Sequence, residues 1–106
     1  MREPPAGLFR SWIHSYEEDH GDVRVYRPDD HPFPPARGRR GMEFAADGAF
    51  VDHPLGRGDA SDAVPGHWRL AADGHVVLTF EGARPERELE IVRCDEAVLE
   101  VRRIMR

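Results

Sequence analysis

Two side chains near the start of the chain, His14 and Tyr16, are of types that transfer protons or orient a ligand. They alternate with Trp12 along one face of the run 8–17, so a strand there would present all three side chains together. Histidine titrates near neutral pH, and a phenol donates or accepts a hydrogen bond. In a partly dry cavity the pair is a candidate for acid–base catalysis or for ligand orientation. A polar pair at the solvent-exposed rim of the cavity, with no role in a site, would show the same pattern.

A second cluster consists of Arg37, Arg39 and Arg40, which lie in the proline-rich segment 28–41. Prolines at this density cannot supply the hydrogen bonds of a central strand, so we expect a surface loop over one end of the domain. Loops of about a dozen residues are often lids or binding loops. Because guanidinium groups clamp carboxylates and phosphates through paired hydrogen bonds, the cluster would suit an anion-binding lid. A solvated charged loop that pairs with acidic residues is the alternative.

Metal and cysteine chemistry are not indicated by the sequence. The six histidines are dispersed, and no two have the i, i+4 spacing of helical zinc motifs. The single cysteine, Cys94, stands beside Asp95, whose negative charge raises a thiol pKa and disfavours a nucleophile. Phosphate loops, nucleophile elbows and dinucleotide fingerprints are absent from the sequence. We therefore expect no metal and no cofactor, and the sequence leaves open whether the protein is an enzyme.

Short alternating runs that end in Gly, Asp or Pro recur along the chain, and they predict antiparallel strands. The clearest are two hairpins whose turns contain Asp-Gly, at 46–48 and 72–74. Large apolar side chains align on one face of these strands and of the first strand. We expect them to form the core and to line any cavity that it leaves: Trp12, Met42, Phe44, Phe50, Trp68, Leu78 and Phe80.

The C-terminal segment 86–105 fits two structures. As strands, Leu89 and Ile91 alternate with glutamates before a turn at 94–96, whereas as a helix the apolar residues recur at spacings of three and four. We favour strands because the segment is rich in β-branched residues and an open meander needs partners for its edges. The predicted fold is all-β, an antiparallel meander of about eight strands closed into a small barrel. The alternative is an α+β fold with a C-terminal helix on an antiparallel sheet.

This pattern resembles the lipocalins and related calycin barrels at three points. Trp12 lies in the first strand, Arg103 lies near the end of the last, and antiparallel hairpins join the two. In that group the tryptophan plugs the barrel base and an arginine lies across it, so the resemblance implies a lipocalin-like, small-molecule-binding barrel. The chain departs from the Gly-x-Trp motif at Arg10, which stands where glycine belongs. Segments 15–19 and 33–39 also resemble parts of small bacterial proteins, and that likeness implies no function.

Composition sets the remaining expectations. A chain of 106 residues suits one domain, 1–106. The net charge of −5 argues against nucleic acid, because duplex-binding proteins usually carry a basic face. No apolar run approaches the roughly 20 residues that cross a bilayer, and the N-terminus lacks the apolar core of a signal peptide. We therefore expect a cytoplasmic protein without nucleic-acid or membrane partners, and we leave a homo-oligomer open.

Three functional hypotheses follow from these features. The first, which we favour, is a ligand-binding barrel whose apolar cavity holds the ligand body, while His14, Tyr16 and an arginine such as Arg37 or Arg39 hold its polar end. The second is a cofactor-independent isomerase, cyclase or hydrolase in the same cavity, with His14 and Tyr16 as proton-transfer groups. The third is a protein-interaction module with a fully packed core.

Overall fold

Eight strands account for most of the structure, a computed structural model that describes residues 6–35, 39–56, 63–82 and 84–104. Two 3-10 turns accompany them, at Ala6–Leu8 and Tyr16–Glu18. The strands are β1 Ser11–His14, β2 Val23–Pro28, β3 Arg39–Phe44, β4 Ala49–Gly56, β5 Val64–Leu70, β6 Val76–Phe80, β7 Arg87–Cys94 and β8 Leu99–Ile104. The segment that also fitted a helix thus forms β7 and β8, and the alternative with a C-terminal helix is wrong.

All neighbouring strands are antiparallel, and the sheet closes in the order β1-β2-β8-β7-β6-β5-β4-β3. The predicted eight-stranded antiparallel barrel is therefore confirmed. From β3 to β8 the strands follow a meander, but β1 lies between β2 and β3, so the first two strands exchange places relative to a simple meander. Since β2 and β3 are each antiparallel to β1, they are parallel to each other. The connection between them must therefore travel the length of β1.

One end of the barrel is closed by apolar packing. Leu8 and Trp12 are both 0% exposed, and Trp12 Nε1 donates a hydrogen bond of 3.0 Å to the Leu8 carbonyl oxygen. This bond holds the first 3-10 turn across the end of the barrel where β1 begins. The alternating inward side chains of the strands complete one core cluster: Leu8, Trp12, Met42, Phe44, Phe50, Val76, Leu78, Leu89, Leu99 and Val101.

The arginine that lies against Trp12 is Arg10. Its guanidinium carbon is 5.5 Å from the centre of the Trp12 ring, and Nη1 donates to the Glu96 carbonyl oxygen at 3.0 Å. The expectation that Arg103 crosses Trp12 is wrong. Arg103 lies four residues beyond Leu99 in β8, about 13 Å along the strand, and this distance carries it toward the other end of the barrel.

The second 3-10 turn is held on β2 by charged hydrogen bonds. The Glu18 carboxylate accepts from Arg27 Nε at 2.8 Å and Nη2 at 2.6 Å, and from Ser15 Oγ at 2.7 Å. The bonds from Arg27 and then Ser15 lower the pKa of Glu18 from 4.5 to about 2. Because the pKa of Glu18 is lower in the folded state, its ionised carboxylate stabilises the fold fully at pH values above the unfolded pKa of 4.5. That stabilisation is lost as the pH falls toward the folded pKa of about 2.

The Glu18→Gln variant should therefore unfold more easily at neutral pH. We expect a loss of about 1 kcal/mol in the free energy of unfolding, a modest value because the pair is partly exposed. The difference from the wild type should shrink as the pH falls from 4.5 to 2, measured by urea unfolding. Glu81→Gln, at an exposed position, is the matched control. A difference that stays constant over this pH range would contradict the assignment.

Candidate functional site

The end of the barrel opposite Trp12 contains a polar pocket of about 420 Å³. It is lined by His14, Asp22, Arg24, Tyr26, Arg40, Asp52, Arg87 and Arg103. Strand periodicity explains this lining, because side chains two residues apart share a face. Five lining residues lie two positions from a core residue of the same strand: His14 after Trp12, Arg40 before Met42, Asp52 after Phe50, Arg87 before Leu89 and Arg103 after Val101. The inward face of the barrel thus changes from apolar to charged along its length.

The polar pocket has the opposite charge from the protein as a whole. Its four arginines outnumber its two aspartates by two formal charges with His14 neutral, whereas the chain carries −5. The guanidinium groups of Arg40 and Arg103 make no hydrogen bond or ion pair with any residue that the structure describes. A concave site with low-dielectric walls concentrates the field of its charges. The pocket is therefore electrostatically suited to an anion.

Asp52 is the most deeply buried charged residue of the pocket. The residue is 2% exposed, and Oδ2 lacks a hydrogen-bond partner within the described part of the chain. The nearest cation is Arg87, whose Nη2 lies 3.7 Å from that oxygen, too far for a hydrogen bond. A buried charge of this kind is costly without a compensating partner. Asp52 and Arg87 consequently form a loose internal ion pair at the boundary between the core and the pocket.

His14 is held rigidly on the wall of the pocket. Its ring stacks on Tyr26 with 5.0 Å between ring centres, and Nε2 lies 2.9 Å from Asp19 Oδ2. Asp19 is itself fixed by the Val25 backbone N–H, which donates to Oδ1 at 2.8 Å. If Nε2 carries the proton that Asp19 accepts, Nδ1 is left as a proton acceptor.

The Tyr26 phenol supplies a donor on the same wall. Burial raises the pKa of Tyr26, while the positive charge of Arg40 acts in the opposite direction. The group therefore stays protonated at neutral pH and offers an O–H donor.

Tyr16, expected to share the inward face of Trp12 and His14, lies outside the barrel wall. β1 ends at His14, and Tyr16 stands in the second 3-10 turn with 48% of its surface exposed. The strand ends here because the Ser15 carbonyl oxygen accepts from the Glu18 backbone N–H at 2.9 Å, which closes a turn. Of the three side chains expected on the inward face, Trp12 and His14 therefore lie there and Tyr16 does not.

Arg39 faces away from the polar pocket. Its guanidinium group lies 4.7 Å from the ring centres of both Tyr16 and Phe33, and it donates to both carboxylate oxygens of Glu17 at 2.8 and 2.6 Å. A further bond of 2.9 Å reaches the Pro34 carbonyl oxygen. These contacts leave the side chain 8% exposed and attach the proline-rich segment to the turn beside β1.

The other expected site residues divide into two groups. Arg37 lies outside the residues that the structure describes. The apolar set lies in the core or packs against it, and none of it lines the polar pocket: Trp12, Met42, Phe44, Phe50, Trp68, Leu78 and Phe80. Of the candidates chosen from the sequence, His14 lines the polar pocket together with Arg40 from the arginine cluster.

Five of the lining residues are not evident from the sequence: Asp22, Arg24, Tyr26, Asp52 and Arg87. The signal that would identify two of them, Asp52 and Arg87, is the two-residue period itself, continued beyond the apolar core residues of β4 and β7. Asp52, for example, follows Phe50 on the same face of β4. A charged residue at such a position is usually taken as the solvated end of a strand.

A cluster of potential metal ligands lies away from the pocket, at the turn between β5 and β6. Ligand atoms of Asp73, His75 and Glu88 all lie within 4.8 Å of one another. His75 Nδ1 is 2.6 Å from Glu88 Oε2 and 3.2 Å from Asp73 Oδ2. These contacts join the turn to β7, and the sequence spacing did not predict them.

Together the fold and the site define a class of protein, the small closed antiparallel β-barrel with a charged pocket at one end. No protein-family model matches the chain, and comparisons with curated proteins and with solved structures give no significant match. Among the residues described, no helix is long and apolar enough to cross a membrane. The function must therefore be inferred from the chemistry of the pocket.

Proposed function

We propose that the protein binds a small anionic molecule in the polar pocket. The observation that carries this proposal is the excess of arginine around the pocket at the open end of the barrel, contributed by β2, β3, β7 and β8. Guanidinium groups bind carboxylates and phosphates through charge-assisted, often paired hydrogen bonds. The volume of about 420 Å³ falls within the usual range of ligand pockets. This is the favoured ligand-binding hypothesis, with an acidic group rather than an apolar body as the main feature of the ligand.

The test is calorimetric titration with inorganic phosphate, citrate and a sugar phosphate at low ionic strength. Binding should weaken about 10- to 100-fold in the Arg40→Gln/Arg103→Gln double variant, the usual effect of losing hydrogen bonds to a charged group. Arg87 is left in place because its removal would strand the buried Asp52 carboxylate.

The control is Arg69→Gln in the wild-type background, which removes one positive charge from an exposed position on β5. It should retain wild-type affinity. Failure of all three anions to bind the wild type more tightly than about 1 mM would contradict the proposal. So would an equal loss of affinity in the control and the double variant.

A second candidate is a cofactor-independent enzyme in the same pocket. The specific observation in its favour is the His14–Asp19 pair, because a carboxylate that orients an imidazole prepares its other nitrogen for proton transfer. Guanidinium groups could then stabilise negative charge that develops on the substrate. His14→Gln separates the two functions, since in an enzyme it should lower turnover far more than it weakens binding, whereas in a binding protein it should change affinity alone.

The polar pocket also bears on the third hypothesis, the interaction module with a fully packed core. Packed protein interiors leave few voids larger than a water molecule. The polar pocket of about 420 Å³ is a concave site open to solvent above the packed core, and it supports the two functions that use a cavity.

A further inference from the structure

We infer that the ligand of the polar pocket is a dianion with two separate acidic groups, one bound by Arg40 and the other by Arg103. This inference rests on the proposed anion-binding function and names the ligand class within it. It depends on which of the charges in the pocket are already compensated by the protein and on where the uncompensated ones lie.

Two of the four arginines of the pocket face carboxylates of the protein. Arg24 Nη1 lies 3.4 Å from Asp19 Oδ2, and Arg87 Nη2 lies 3.7 Å from Asp52 Oδ2. At these distances a guanidinium and a carboxylate largely cancel each other's field at longer range. Neither arginine therefore adds a full positive charge to the pocket.

The second aspartate of the pocket is bound from outside it, by Arg102, which also donates to Glu90 Oε1 at 2.9 Å. Asp22 Oδ1 accepts a hydrogen bond of 3.0 Å from Arg102 Nε, and this bond lowers the pKa of Asp22. Asp22 is thus not a counter-ion for Arg40 or Arg103. Those two guanidinium groups, which have no ion-pair partner in the described chain, account for the two positive charges that the pocket has in excess.

The strand order separates these two arginines. Arg40 is on β3 and Arg103 is on β8, and β1 and β2 lie between them in the closed sheet. Three steps of about 4.8 Å separate the two strands, and Arg103 also lies four residues, about 13 Å along β8, beyond Leu99, which pairs with Tyr26 opposite His14. Their side chains therefore enter the pocket from two directions, which suits a ligand with an acidic group at each end.

The wall between the two arginines carries the stacked rings of His14 and Tyr26, which are directly opposite each other in the β1–β2 register. A ligand that spans from Arg40 to Arg103 would lie across these rings. The volume available to such a ligand is about 420 Å³. Linear dicarboxylates of four to six carbons, with 8 to 10 non-hydrogen atoms, fit this volume.

The inference is tested by comparing each dianion with a monoanion of the same length. The probes are succinate, glutarate and adipate, each beside its monoamide, titrated by calorimetry at pH 7.5 and low ionic strength. At the best chain length we expect the dianion to bind the wild type at least about tenfold more tightly than its monoamide. Arg40→Gln and Arg103→Gln should each reduce that ratio to roughly one to three, whereas Arg69→Gln should preserve it.

The outcomes separate this inference from the function on which it rests. If monoamides, or inorganic phosphate, bind as tightly as the best dicarboxylate and both arginine variants weaken them, a ligand with two separate acidic groups is excluded while anion binding stands. If no probe binds, both are overturned. Thermal unfolding of each variant shows whether it is folded, so that a lost ratio reports on the pocket and not on the barrel.

Discussion

Replacement of Trp12 by alanine is expected to lower the free energy of unfolding by about 4 kcal/mol, the usual cost of removing a fully buried tryptophan. Trp12 is 0% exposed, and its indole N–H holds the Leu8 carbonyl oxygen. Its loss would leave a cavity at the closed end and release the 3-10 turn that covers it. For a domain of this size, the melting temperature should fall by about 15–30 °C.

Two control variants separate the packing of Trp12 from its hydrogen bond. Trp12→Phe keeps much of the ring volume but cannot donate to Leu8, so a smaller loss of about 1–2 kcal/mol is expected. Val92→Ala removes an apolar group that is largely exposed and should change stability by less than about 0.5 kcal/mol. A loss below about 1 kcal/mol for Trp12→Ala would show that the closed end does not depend on this side chain.

The second large effect is expected at Gly66, where alanine should destabilise the barrel by about 3 kcal/mol. Gly66 is buried on β5, directly opposite Phe50 and Phe80 in the neighbouring strands. A methyl group at this position would collide with the Thr79 carbonyl oxygen and lie 2.9 Å from Phe80 Cδ1. Because one of these neighbours is backbone, a rotamer change cannot relieve the collision. Urea unfolding measures the loss.

Gly7→Ala is the matched control for Gly66→Ala. A methyl group on Gly7 would lie 3.4 Å from the Asp95 carbonyl oxygen and 4.0 Å from Cys94 Sγ, distances that require little or no movement. We expect its midpoint of unfolding to stay close to that of the wild type. Equal destabilisation by the two substitutions would mean that close approach to β6 is not what requires glycine at position 66.

The parts of the fold that are evident from the sequence are those specified locally. The Asp-Gly turns at 46–48 and 72–74 connect strands as predicted, because both the turn and the alternation on either side are short-range features. The position of β1 between β2 and β3 is different. It depends on pairing between residues far apart in the chain, such as Trp12 with Met42, and no local pattern encodes that choice.

The candidate site was predictable only in part, for a related reason. Arg39 and Arg40 are adjacent in an arginine cluster, yet one binds Glu17 outside the wall and the other lines the pocket. The register of β3 decides which of the two arginines points into the pocket. Asp52 and Arg87 were not recognised because charged inward residues break the apolar pattern by which an inward face is identified.

The short strand β1 also bears on whether the protein can exchange strands between molecules. It is the shortest of the eight strands and is paired over three residues with β2 and three with β3. Detachment of β1 would expose unpaired backbone groups along two strands at once, and such edges bind strands of other molecules. The same gap would accept β1 from a second chain, which is the geometry of a domain-swapped dimer. The four residues of β1 thus decide whether the barrel is closed by its own first strand or by that of another chain.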